Sequence, residues 1–285
     1  MDAKPVGVLL RQWRERRRLS QLELSIRAEI STRHLSFVET GRSAPSRDMV
    51  LQLTDRLDVP LRERNRLLLA AGFAPVYSEK LLEDPQMDAV RTAVRQLLAG
   101  HEPYPAVVVD RSWNLVEANA SIALFTDLIA PHLLAPPANV LRASLHPEGL
   151  APHIINLGEW RGHLLHRVRR IVEFTADPDI AKLAAELESY PHPHREPDTT
   201  LPNEIMMPLR LRLGSGAELS FFSMVATFGT PLDVTLSELA IEAFYPADAA
   251  TEIELTRRSA NIAEPPGESS TSATRLLQST RDGLK

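Results

Sequence analysis

Ser31, Thr32 and Arg33 form a polar, basic edge at the start of a short helical pattern, with Phe37 one turn further on. Hydroxyl and guanidinium groups at the N-terminal end of a helix are the groups that hydrogen-bond base edges in a major groove, where an aromatic ring can meet a thymine methyl. Gln21 opens the preceding helix, where its backbone amide and side chain are placed to take a phosphate. Arg42 and Arg47, beyond the second helix, suit further phosphate contacts, and His34 falls beside the same edge.

Metal chemistry is the competing reading for the nine histidines. His163 and His166 lie one turn apart on a predicted helix, and His192 and His194 sit in a Pro-His-Pro-His run. The chain has no cysteine, so a site needs His and carboxylate ligands converging from separate segments. The Pro-His run is more simply a rigid exposed loop, and no metal is expected. Catalysis fares no better. There is no Gly-rich phosphate loop, no GxSxG elbow and no HExxH pair, and Gly214-Ser215-Gly216 reads as a hairpin turn. No catalytic residue, enzymic activity or cofactor is expected.

The elements that must position the polar edge are five short helices in residues 1–75. Val6, Leu9, Leu10 and Trp13 make one apolar stripe, with Arg11, Arg14 and Arg16 to Arg18 off it. Ser20 and Glu23 have the spacing of a capping box, and Ser31 caps the third helix, which stops at Gly41. Pro45-Ser46 starts the fourth helix, and Leu61 to Ala71 forms the fifth. Two helices crossing steeply need small residues where they touch, and Ser25 and Ala28 supply them. Ile30 and Leu35 plug the corner, extended by Leu24 and Val38.

A linker and connecting helix over 76–100 then lead to a change of pattern. Tyr104 to Asp110 and Ser112 to Asn119 read as a tight hairpin, and residues 130–155 as loop with short helices. Helices are predicted over Gly158 to Phe174 and, capped by Asp177-Pro178, to about Ser189, followed by a loop over Tyr190 to Pro202. Glu204 to Leu213 and Ala217 to Phe228 read as a second hairpin. Val234 to Phe244 fits both helical and strand periods and is read as strand. The Ser, Thr, Pro and charge content of 258–285 predicts a disordered tail. Tyr104, Trp113, Trp160 and Phe222 are the aromatic candidates for lining an apolar pocket in the 101–257 region.

Charge is divided unevenly. Residues 1–75 hold fourteen Lys/Arg, thirteen of them arginine, against nine Asp/Glu, a net of +5; the remaining 210 carry a net of −10. A basic head on an acidic body suits a polyanion-binding module. No run of eighteen apolar residues suggests a membrane span, and Met1 to Pro5 has no apolar signal core behind it, so a cytoplasmic location is expected.

The stretch from Ser20-Gln21 through Glu39-Thr40-Gly41-Arg42 resembles the Cro-type (XRE) helix-turn-helix family, and the likeness extends over roughly residues 5 to 72. Glu29 stands where that family usually has glycine in the turn, which calls for a left-handed backbone or a different turn. The runs HLSFVETGRSAPSR and LDVPLRERNRLLLAAGFAPVY narrow the resemblance to the subfamily with an MmyB-like second domain. That resemblance implies an all-α, five-helix, lambda-repressor-like domain followed by an α+β PAS-like domain with an antiparallel sheet. It also implies a transcription regulator that binds a double-stranded operator, as a homodimer, and a small hydrophobic ligand of fatty-acid class. The alternative is a second domain that recruits a protein partner and holds no small molecule.

Overall fold

Serine hydroxyls write three of the helix starts in the N-terminal part of the chain, and prolines two others. Ser20, Ser31 and Ser46 each accept a hydrogen bond from the backbone N–H three residues on, satisfying a donor that the helix itself leaves unpaired. The computed structural model describes residues 5–191 and 207–263. These form α1 (Val6–Arg16), α2 (Gln21–Arg27), α3 (Thr32–Glu39), α4 (Arg47–Arg56) and α5 (Leu61–Ala70), the five helices expected. Each of the links between them turns through a left-handed residue, in order Arg18, Glu29, Gly41 and Asp58, and Gly72 does the same after α5. Leu10, Leu24, Leu35, Val38, Leu53 and Leu67, one or more from every helix, meet in a single fully buried core.

The chain divides into two compact units. One gathers residues through Lys80 with the short segments Glu173–Ala176 and Thr230–Ser237, and the other holds the rest.

The second unit opens with α6 (Asp88–Gly100), entered through a 3-10 turn at Pro85–Met87 that Asp84 caps. Next come β1 (Ala106–Val109), β2 (Leu115–Ala118), α7 (Ala123–Thr126), α8 (Val140–Leu145), α9 (Leu157–Thr175) and α10 (Pro178–Ser189). The chain finishes with β3 (Leu209–Arg212), β4 (Glu218–Thr227), α11 (Val234–Glu238), β5 (Ala240–Pro246) and α12 (Ala249–Ala263). The five strands make one sheet in the order β2-β1-β5-β4-β3, antiparallel at every pairing. A sheet of this order with its helices inserted between the second and third strands is PAS-like. Alternation along β4 and β5 sends Phe221 and Phe244 into the core, where Phe125 of α7 packs edge-on to both.

Both predicted hairpins form. In the first, Trp113 occupies the turn at φ +64, so the strand begins only at Leu115; in the second, Gly216 supplies the turn at φ +85. Two expectations need correction. Val234 to Phe244 is not one strand: Asp233 Oδ1 accepts the Leu236 N–H at 3.3 Å and starts the short α11, and the strand begins at Ala240, where β1 and β4 offer partners. The predicted tail from residue 258 is helical as far as Ala263, because Asp248 caps α12 through the Thr251 N–H and Glu254 pairs with Arg257 and Arg258 along it. Residues 264–285 lie outside the described residues, as do Glu204 and most of the 190–202 loop.

Candidate nucleic-acid interface and ligand cavity

Geometry at the α2–α3 turn follows from a few side chains. The capping box is complete, with the Glu23 N–H donating to Ser20 Oγ at 3.1 Å and the Ser20 N–H to Glu23 Oε2 at 2.7 Å. This bond holds the Glu23 carboxyl below its ordinary pKa. Ser25 and Ala28 are buried where the helices cross, as are Leu24, Leu35 and Val38, with Ile30 partly so. Glu29 takes the left-handed option, at φ +52, a strain of about 1–2 kcal/mol for a residue with a Cβ.

The recognition edge is divided more finely than its residue types suggest. Ser31 Oγ caps the helix, accepting the His34 N–H at 3.1 Å, and keeps its own proton to donate. Thr32 Oγ1 shares a 2.8 Å hydrogen bond with Ser25 Oγ, tying it back to α2. Arg33 is exposed, with its guanidinium 5.4 Å from the centre of the Phe37 ring, and Arg42 lies 5.9 Å from the same ring. The partly buried Phe37 is thus bracketed by two cations. Arg47 is exposed at the first position of α4, and His34 is half-buried on α3.

Beneath this edge lies an ion pair that reading by residue type missed. Arg14, expected off the apolar stripe, is buried, and its Nε and Nη2 donate to Glu39 Oε1 and Oε2 at 2.7 and 2.9 Å. Its Nη1 donates to the Leu19 carbonyl. The hydrogen bonds to Glu39 raise the Arg14 pKa. Gln21 Nε2 also donates to Glu39 Oε2, at 2.8 Å. The Gln21 amide group is therefore engaged within the protein, which leaves its backbone N–H at the start of α2 for an anion.

In the second unit an apolar cavity of about 80 Å³ lies between the inner face of the sheet and the helices. Ile122, Phe125, Leu141, Trp160, Leu164 and Phe244 are among its walls, and its polar lining is Thr126, Asn139, Ser144 and Glu242. Of the four aromatic candidates only Trp160 lines it. Trp113 is buried but lies under the Arg167 guanidinium at 4.0 Å. Phe222 and Tyr104 fall elsewhere: Phe222 stacks on Tyr245 at 5.2 Å, while Tyr104 meets His101 edge-on at 5.8 Å and donates to Glu252. Strand alternation turns Phe222 and Tyr245 away from the face carrying Phe221 and Phe244. Glu242 was legible in principle, since alternation through Ala240, Glu242 and Phe244 places a carboxylate among inward residues.

The histidine pair on α9 does not converge on a metal-binding group. His163 stacks on Trp160 at 5.6 Å, and desolvation, followed by repulsion from Arg167, lowers its pKa. His192 and His194 lie outside the described residues. Among the described residues, the group close enough to share an ion is His132, His146 and Glu148. His146 Nδ1, however, accepts the Glu148 N–H at 3.1 Å, which leaves Nε2 protonated in the neutral ring and unable to ligate.

Two family models match the chain. A helix-turn-helix domain covers residues 5–67, and the MmyB-like transcription regulator ligand binding domain covers residues 90–257, more than half of the 285. The chain belongs to the MmyB-like transcription regulators. It is thus a DNA-binding regulator with a ligand-binding domain, and both matched domains are regulatory in kind. No curated protein matches the sequence. Among solved structures, an RNA-binding light-oxygen-voltage receptor is similar at 14% identity, with a TM-score of 0.27 over 90% of this chain. The MmyB-like regulator spans 63% of that receptor's length. Its PAS-like assignment rests on its own strand order. No described helix is long and apolar enough to cross a membrane.

Proposed function

We propose that this regulator reads DNA with the first turns of α3, Arg33 contacting a guanine and Phe37 lying beside a thymine methyl. The observation that carries this is Arg33 itself, exposed at the helix start and braced on Phe37 while the neighbouring Thr32 hydroxyl is engaged within the protein and Ser31 Oγ caps the helix. Ser31, Thr32 and His34 then shape the edge, and Arg42, Arg47 and the Gln21 N–H hold phosphates. One five-helix module covers a half-site, so the operator is a palindrome bound by a homodimer, in the cytoplasm. Footprinting the full-length protein upstream of its own and neighbouring genes tests this. A protected palindrome supports it, and uniform protection at all sequences would overturn it.

The second domain takes its ligand in the cavity beside Trp160. A ligand shifts operator affinity only by its differential affinity for two arrangements of the protein. The apolar walls match the chemistry of a fatty acyl chain, and in a cavity of about 80 Å³ a long chain requires the lining to move. Mass spectrometry of lipids extracted from the purified regulator tests the acyl class. A second reading, recruitment of a protein partner, is favoured by the exposure of Leu97 and Met224, which line one groove on the outer face of the sheet.

A further inference from the structure

Two copies of an acidic domain approach most readily through a surface that carries no charge. Residues 76–285 hold a net −10, yet the outer face of the sheet has a groove of about 250 Å³ whose ten lining residues include no Asp, Glu, Lys or Arg. Its floor is low because Ala106 and Ala243 stand opposite each other on β1 and β5, on the side of the sheet away from Phe221 and Phe244. Leu97 of α6 and Met224 of β4 stand beside that floor, 54% and 50% exposed. His101 gives its Nε2–H to the Phe244 carbonyl at 3.1 Å and lies edge-on to Tyr245 at 4.7 Å, so one polar edge of its ring is already satisfied. On the same face, Glu117 of β2 is paired with Arg95 of α6 at 2.9 Å. Val90 and Ala93 continue the apolar surface along α6 on the side of Leu97; they are only partly buried, whereas Val94 and Leu98 are fully so.

We infer that this groove, with the adjoining stripe of α6, is the face through which a second copy of the chain docks. The inference rests on the homodimer reading and assigns the groove to a second copy rather than to a foreign protein. Protruding Leu97 and Met224 side chains beside a recess over alanines make a shape that a two-fold axis repeats, the knob of each copy meeting the recess of the other. A charged partner would find no counter-charge here, whereas a second copy brings an equally uncharged surface, and interface centres are depleted in charge. A stable interface takes about 800 Å² from each partner, and the α6 stripe extends the face beyond the groove.

Sedimentation of the full-length protein over a concentration series tests this. Leu97→Glu and Met224→Glu should each weaken dimerisation at least about tenfold, because a carboxylate on this face loses its water in the interface. Leu232→Glu, at an exposed leucine outside the groove, should leave dimerisation unchanged. Leu97→Cys gives a wild-type-like side chain and places a single thiol in a chain without cysteine. Its reaction with a maleimide should slow as the protein concentration rises through the dimerisation range. A labelling rate independent of concentration in a protein that dimerises overturns the face, as does a dimer that tolerates both glutamates; either result leaves the homodimer reading intact. A protein that sediments as a monomer throughout and binds its operator as one copy fails both readings.

Discussion

Arg33 and Arg42 lean on the same phenyl ring, and the proposed reading gives them different tasks, which substitution separates. Arg33→Ala is expected to relax base preference at one operator position, removing about 1–3 kcal/mol of discrimination. Arg42→Ala should weaken all sequences alike and reduce the salt dependence of binding by about one phosphate contact. Electrophoretic mobility shifts on operators varied one base at a time, at two salt concentrations, distinguish the two. Arg33→Ala leaving both affinity and preference unchanged would mean that α3 is placed wrongly in the groove. The buried pair below makes a stability prediction of its own. Glu39→Ala leaves two nitrogens of the buried Arg14 guanidinium without their hydrogen bonds and should cost about 3 kcal/mol, read as a lowered melting temperature of the helical domain. The Ser20–Glu23 box could be read from the sequence because both partners lie within one turn. Arg14 and Glu39, 25 positions apart, could not, since only the packing of α1 against α3 brings them together.

At the scale of elements, close approach decides the sign of a substitution. Gly→Ala inside a helix ordinarily stabilises by about 1 kcal/mol. Gly7 on α1 is the opposite case, because a Cβ there would lie 2.2 Å from the Val38 carbonyl oxygen and 2.9 Å from that of Glu39. Gly7→Ala should therefore destabilise the helical domain by about 1–3 kcal/mol, measured by denaturant melting. In the second domain α8, a wall of the cavity, is held to α10 by Arg142, which donates to both oxygens of Glu186 at 2.6 and 2.7 Å. The Tyr190 hydroxyl donates to the same carboxylate, and burial followed by that bond pushes the Tyr190 pKa up to about 12. Arg142 holds the Glu186 carboxyl below its ordinary 4.5. The unfolded chain therefore protonates Glu186 first as pH falls, and the contribution, complete above about 4.5, is lost on further acidification. Glu186→Gln should lower the melting temperature at pH 7 and flatten its decline below pH 4.5. An acid limb as steep as that of the wild type would remove Glu186 from the account. Periodicity placed most of these elements, but it could not divide 234–246 into α11 and β5. An apolar run that satisfies both periods is decided by which strands lie beside it.

Across the whole molecule, the uneven charge gives each domain a separate physical signature. The head carries +5 of a chain whose net charge is −5, so its DNA affinity should fall steeply with salt, whereas binding of a ligand between the apolar walls of the cavity should depend on salt far less. That contrast makes communication between the two measurable. If cavity occupancy changes operator affinity by some factor, linkage requires operator DNA to change the ligand's affinity by the same factor. A ligand of the cavity should therefore bind the operator-bound protein more weakly or more tightly than the free protein, in the same ratio by which it shifts the operator dissociation constant. Both ratios can be measured at one salt concentration, by titrating each component in the presence and absence of the other. Equal ratios different from one make the protein a ligand-responsive switch. Two ratios of one, with both ligands bound, would mean that this ligand does not discriminate between the arrangements of the protein. The groove lined by the exposed Leu97 and Met224 would then be the place to seek what controls the head.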